Sequence, residues 1–123
     1  DKPGFTKFKE YINPIIQFIS KKYYNRKIEP RISDMWGMIY KKGDHAIVHD
    51  HWPALWSGVY YIKSPENSGD LFFPQLKQAF QPKENMLVLF NGSTRHGVKE
   101  NLSDSERVAI SFNVKEDNVQ ENI

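Results

Sequence analysis

Ala46-Ile47-Val48-His49-Asp50-His51 is the stretch on which the reading of this chain turns. In an extended strand, residues two apart share a face. His49 and His51 therefore stand side by side, and Asp50 points the other way. Two neutral imidazoles on one face are half of a site for iron, zinc, copper or nickel. The chain has 123 residues, four histidines and no cysteine, so thiolate ligands and disulfides are excluded. A third ligand must come from elsewhere, and His96 is the candidate. It follows the apolar run Met86 to Phe90 and the turn Asn91-Gly92-Ser93. His45 follows a turn, has no histidine partner two residues on, and reads as an ordinary surface residue. Joining His96 to the pair requires strands distant in sequence to become neighbours in space.

Working outward, the chain reads as short strands separated by turn signals. Met35 to Tyr40 is a strand, Lys41-Lys42-Gly43-Asp44 a turn, and Ala46 to His51 the next strand. Trp56 to Lys63 is rich in aromatic and β-branched residues. Pro65 to Asp70 is a turn, and Leu71 to Phe73 is a short strand ended by Pro74. Gln75 to Lys83 reads as a polar loop. Met86 to Phe90 and Arg107 to Val114 are the last two strands. Such spacing points to a sandwich or barrel. Upstream, Phe5, Phe8, Ile12, Ile15, Ile16, Ile19 and Tyr23 recur at helical steps, so 5–24 reads as an amphipathic packing helix. Pro14 predicts a break, or a second helix beginning near Asn13. The expected organisation is one domain over 1–123, with a helical part at 5–24, a β core at 33–114 and a frayed polar tail at 115–123.

Composition narrows the function classes. The net charge is +2, with 26% charged and 39% hydrophobic residues. Without a basic stripe, nucleic acid is not expected as a partner. No apolar run approaches the roughly 20 residues that span a bilayer, and no secretory signal peptide is visible. The expectation is a soluble cytosolic protein acting on a small-molecule or peptide substrate. The chain opens on Asp1 rather than Met, which reads as a processed product or a fragment.

From Gly43 to Asn113 the motifs fall in an order that resembles the 2-oxoglutarate/iron(II) oxygenases of prolyl-hydroxylase type. The series is Gly43 to His51, Ser57-Gly58-Val59-Tyr60-Tyr61-Ile62, Ser68-Gly69-Asp70-Leu71-Phe72-Phe73, Met86 to Phe90, His96-Gly97-Val98 and Arg107 to Asn113. The resemblance covers roughly residues 41 to 114. A still closer likeness is to a group of small oxygenase-like proteins with His-x-His and a Ser-Gly-x-Tyr-Tyr strand. The resemblance implies a mainly β, double-stranded β-helix (jelly-roll) fold with N-terminal packing helix. It implies iron(II) on His49 and His96, with His51 as the third ligand, and 2-oxoglutarate as co-substrate on Arg107 and Tyr61. Arginine suits that role because its fork of donors matches a carboxylate. Position 51 departs from the family pattern, which has Asp there. Asp50 would reach the metal only through a β-bulge, and Asp70 is another candidate carboxylate.

The chain also resembles cupins, which share the fold and the histidines. Gly43 to His51 fits their first motif, but Leu55 and Trp56 stand where its metal-binding glutamate belongs. That resemblance implies a metalloprotein that does not use 2-oxoglutarate. A non-catalytic jelly-roll module binding a sugar or peptide is a third reading. Trp36, Trp52 and Trp56 line either a groove or the core, with Trp52 the best placed for function beside His51. Only one of Tyr60 and Tyr61 can face the interior. Arg107 opens the last strand beside an apolar run and is expected to face inward. Specificity belongs to the loops Trp52 to Trp56 and Gln75 to Glu84.

Overall fold

A computed structural model describes residues 3–25 and 27–117; the expected tail beyond Asp117 lies outside them. Eight strands are found among these residues: β1 (Pro30–Tyr40), β2 (Ala46–His49), β3 (Trp56–Lys63), β4 (Leu71–Phe73), β5 (Gln78–Phe80), β6 (Leu87–Asn91), β7 (His96–Val98) and β8 (Arg107–Glu116). They form two antiparallel four-stranded sheets, ordered β1-β8-β3-β6 and β2-β7-β4-β5. Consecutive strands mostly alternate between the sheets, which is the jelly-roll winding the motif order implied. The two sheets enclose the space into which the candidate residues point.

Strand existence follows the apolar pattern, while strand length follows the ladder. The β1 strand begins at Pro30 rather than near Met35, because it pairs with β8 from Pro30↔Glu116 to Tyr40↔Arg107. Proline is tolerated there, at the first residue of an edge strand. For the same reason Lys115 and Glu116, expected in the tail, belong to β8. The expected loop 75–83 contains a 3₁₀ turn at Pro74–Leu76 and then β5. Lys77 adopts a left-handed conformation at φ 53, and the chain folds back so that β5 pairs with β4.

The N-terminal segment is one helix, α1 (Pro3–Tyr24), and the break expected at Pro14 does not occur. Proline removes one intrahelical hydrogen bond, and packing of the apolar face on either side outweighs that loss. Ile12 and Ile16 are fully buried against Trp56, Phe112 and Val114, with Phe8, Ile15 and Ile19 around them. Trp56 Nε1–H donates to Ser20 Oγ at 2.9 Å, a buried latch between helix and sheet. Tyr23 is 64% exposed but rests edge-on against Trp56. Gly58 makes this packing possible: the Phe112 ring lies where a side chain at Gly58 would begin. The hydrophobic core thus sits between α1 and the outer face of the β1-β8-β3-β6 sheet. That leaves the inner face of the sheet free to line a cavity.

Candidate active site

Alternation along three strands decides which side chains enter the cavity. On β8, Arg107, Ala109, Ser111 and Asn113 line it; on β1, Trp36, Met38 and Tyr40; on β3, Ser57, Val59 and Tyr61. Tyr60 faces the other way, packing on Phe8 with ring centroids 5.4 Å apart. The cavity measures about 140 Å³, and His49, His51 and His96 line it from the opposite sheet.

The histidines come together because β2 and β7 pair in the register His49↔His96. The ring centroids of His49 and His96 are 4.4 Å apart. His51 lies past the end of β2, not within the expected strand to 51, yet its ring stands 4.9 Å from His49 and 5.2 Å from His96. Its backbone N–H donates to the Gly92 carbonyl at 2.8 Å, which ties it to the turn before β7. The ligating nitrogens of the three residues all lie within 4.8 Å of one another. That is close enough for one ion to draw them in by rotation of the rings.

Hydrogen bonds settle which nitrogens are available. His49 Nδ1 lies 2.7 Å from the Ile47 carbonyl and His96 Nδ1 lies 3.0 Å from the Thr94 carbonyl. A carbonyl only accepts, so each Nδ1 carries the proton and each Nε2 keeps its lone pair for a metal. Burial pushes the His96 imidazole down to about 4, with His49 and His51 adding to the effect and the Thr94 bond and Asp50 opposing it. Burial, then His49, also lowers His51. Both are therefore neutral at physiological pH, which is the form that ligates.

Neither Asp50 nor Asp70 joins the three imidazoles. Asp50 Oδ1 accepts from the Trp52 N–H at 3.1 Å, and Oδ2 lies 3.7 Å from Arg95 Nη1. The β2–β7 register does shift between Ala46 and His49, but the irregularity precedes Asp50 and leaves it turned away. Asp70 acts instead on Arg107, where burial is the largest influence and disfavours the charged guanidinium, and Tyr61, Tyr40 and then Asp70 oppose it.

The other end of the cavity belongs to Arg107, which is 2% exposed. Its Nη1 donates to the Gly69 carbonyl. Gly69 has φ +104 and its Cα abuts the Lys99 carbonyl, so only glycine fits there. The guanidinium lies 4.8 Å over the Tyr40 ring and 5.9 Å from that of Tyr61. Among the described residues its Nε has no hydrogen-bond partner. Burial pushes the Tyr61 hydroxyl up to about 12, and it raises Tyr40 as well. A buried cation with one neutral acceptor and an idle N–H is an electrostatic deficit that an anion would fill. The residues present thus fit both groups the resemblance implied: imidazoles for a divalent transition metal, and an unsatisfied guanidinium for a carboxylate.

Of the tryptophans, Trp56 is core, Trp36 lines the cavity with its ring 6.1 Å from that of His51, and Trp52 is 74% exposed just beyond. His45 stays exposed outside the cluster. Tyr40, Ser57, Ser111 and Asn113 also line the cavity and were not singled out from sequence. Counting in steps of two from Arg107 would have found Ser111 and Asn113. The cross-strand partner of Arg107, Tyr40, is set by register and carries no local signal.

The family whose model is described as "Putative 2OG-Fe(II) oxygenase" matches residues 34–81 and 74–113. No curated protein matches in sequence. Among solved structures, the viral collagen prolyl hydroxylase of Paramecium bursaria Chlorella virus-1, in complex with 2OG, is 22% identical with a TM-score of 0.62, covering 80% of this chain and 69% of that one. An oxidoreductase of the 2OG-Fe(II) oxygenase family from Burkholderia pseudomallei is 14% identical at TM-score 0.69, covering 86% and 57%. HygX from Streptomyces hygroscopicus with iron bound is 10% identical at TM-score 0.67, covering 93% and 68%. Cupins share the fold as well. The chain therefore spans between 57% and 69% of the length of these three proteins. At these identities the likeness speaks for the fold.

Proposed function

The chain belongs to the 2OG-Fe(II) oxygenase family, and we propose that it is an oxygenase holding iron(II) on His49, His51 and His96 and 2-oxoglutarate on Arg107 and Tyr61. The observation that carries this reading is the pairing, within one cavity, of three converging imidazoles with a buried guanidinium whose Nε is unpartnered. When bound, iron and 2-oxoglutarate would, with dioxygen as oxidant, supply decarboxylation of 2-oxoglutarate to succinate and CO2 coupled to hydroxylation of a C–H bond.

The chain's own residues select and orient these groups. His49 and His96 present Nε2 because their Nδ1 protons are held by carbonyls. Three protein ligands would leave a bound ion able to take a chelating 2-oxo acid and oxygen. Arg107 would take the distal carboxylate, with its planar fork held by Gly69 and the two tyrosine rings. Tyr61 stays protonated over the whole physiological range and can only donate to that carboxylate. Leu71, Val98 and Ala109 keep the wall between the two ends apolar, which limits water and strengthens the Arg107–carboxylate attraction. With His51 in place of the usual aspartate, the site retains the full charge of a divalent ion and favours anionic chelates.

The primary substrate is a small molecule or a peptide. The collagen prolyl hydroxylase among the structural relatives favours a peptide. Among the described residues no helix is long and apolar enough to cross a membrane; a cytosolic setting is taken as the default, and the near balance of acids and bases gives no electrostatic basis for a nucleic-acid partner. The helix and the eight strands are taken as one domain.

Anaerobic titration of the metal-free protein with iron(II), then 2-oxoglutarate, tests the proposal. A visible charge-transfer band that needs both additions is expected. Iron binding without the band would favour the cupin-type reading, and no metal binding would leave a jelly-roll binding module.

A further inference from the structure

The cavity wall carries a buried polar pair to which the iron and 2-oxoglutarate sites assign no task. Ser57 on β3 and Asn113 on β8 are register partners. They are 3% and 9% exposed, and both line the cavity. Ser57 Oγ donates to Asn113 Oδ1 at 3.0 Å. That bond fixes the carboxamide, and its Nδ2 makes no hydrogen bond among the described residues. Nδ2 is not one of the fully enclosed atoms that lack a partner; it opens on the cavity, where an acceptor on a ligand can meet it.

Strand geometry says which ligand. Inward-facing residues of β8 run from Arg107 through Ala109 and Ser111 to Asn113. Six residues of strand span about 20 Å. Trp36 pairs with Ser111 and faces His51, so the histidines stand level with the middle of this run. Asn113 lies on the side of them away from Arg107, beyond the reach of 2-oxoglutarate. There it is flanked by Phe90, the partner of Ser57 on β6, whose ring is 4.6 Å from that of His96. Asp34 is its partner on β1, and a carboxylate at that rim disfavours an anionic acceptor. Between the Phe90 ring and the Asp34 carboxylate, a carboxamide N–H matches a neutral carbonyl oxygen.

We propose that Asn113, held by Ser57, is a specificity-determining residue that donates its side-chain N–H to an amide carbonyl of the primary substrate, which is therefore peptide-like. This rests on the oxygenase reading. The test is an ¹⁵N–¹H titration of the zinc- and 2-oxoglutarate-loaded protein with N-acetylglycine N-methylamide as the probe and acetate as the control. The side-chain amide pair of Asn113 is identified by its loss in Asn113→Asp. It is expected to move with the amide and not with acetate, and in Ser57→Ala the same movement needs more probe. Resonances that stay still with the amide, or move equally with acetate, overturn the proposal. Each variant is first checked for the iron- and 2-oxoglutarate-dependent band, which shows that it is folded. The titration is repeated without metal. A missing band in the unaltered protein then sinks the oxygenase reading, while the Asn113 shift is judged on its own.

Discussion

Replacing Arg107 with Met should separate co-substrate binding from metal binding and from folding. The substitution keeps an unbranched, apolar stem of similar length and removes the charge. Among the described residues Arg107 makes one hydrogen bond, to Gly69, and two ring contacts, with Tyr40 and Tyr61. Losing these costs about 1–2 kcal/mol each for the bond and the rings. Removing an uncompensated buried cation returns a similar amount, so the midpoint of urea unfolding should change little. Binding of 2-oxoglutarate should change greatly. Hydrogen bonds to a charged group contribute about 1.5–3 kcal/mol each, and the guanidinium offers at least two. A loss of about 3 kcal/mol or more weakens binding roughly 100-fold or beyond. The assay is the anaerobic charge-transfer titration with 2-oxoglutarate at saturating iron, alongside a separate iron titration. Iron affinity should persist, because the histidines lie on the other sheet. Unaltered 2-oxoglutarate affinity would refute the assignment of Arg107, and parallel loss of iron affinity would refute the independence of the two ends of the cavity.

Three further perturbations bear on the same structure. In the metal-free protein the His96 imidazole falls from 6.5 to about 4 on folding, so between those values the unfolded chain binds more protons. Stability is then fully present above about pH 6.5, declines as the pH falls towards 4 and levels below it, by a total of about 3 kcal/mol. Urea unfolding at stepped pH should show that slope, and His96→Gln should flatten it; an unchanged slope in the variant would show that His96 is not its source. Gly58→Ala puts a methyl group into the Phe112 ring and should destabilise by about 1–3 kcal/mol, read as a lower Tm; an unchanged Tm would contradict the packing of that ring. Ile16→Ala empties a fully buried position under α1 and should cost about 2–4 kcal/mol in chemical denaturation. A cost near zero would mean that α1 does not dock on the sheet as described.

Most strands were legible because their side chains alternate or run apolar over five or more residues: β3, β6 and β8 are where the sequence places them, within a residue or two. Of the three-residue strands, β4 stands where the sequence places it, but β5 and β7 were not legible. His96-Gly97-Val98 has no β pattern, and its middle residue lacks a side chain because the Phe72 ring and the Ala46 carbonyl crowd that point. It is a strand because β2 and β4 pair with it on either side. Gln78-Ala79-Phe80 is likewise made by its hairpin partner. Pro14 illustrates the opposite case: a strong local signal overridden by burial of Ile12 and Ile16 on both sides of it.

The sequence by itself determined the chemistry available: a His-x-His pair with a third candidate histidine downstream, no thiols, an arginine opening an inward-alternating strand, and an N-terminal helix with one apolar face. Those features depend on neighbours two to four residues apart, where backbone geometry fixes direction. The tertiary structure alone decided the rest. It set His96 opposite His49, kept His51 in place beyond its strand through the Gly92 carbonyl, and turned Asp50 out towards Arg95. It also stacked Tyr40 on Arg107 and aimed the Asn113 amide with Ser57. Each of these depends on the register between strands tens of residues apart, and a shift of one residue would send every such side chain to the opposite face.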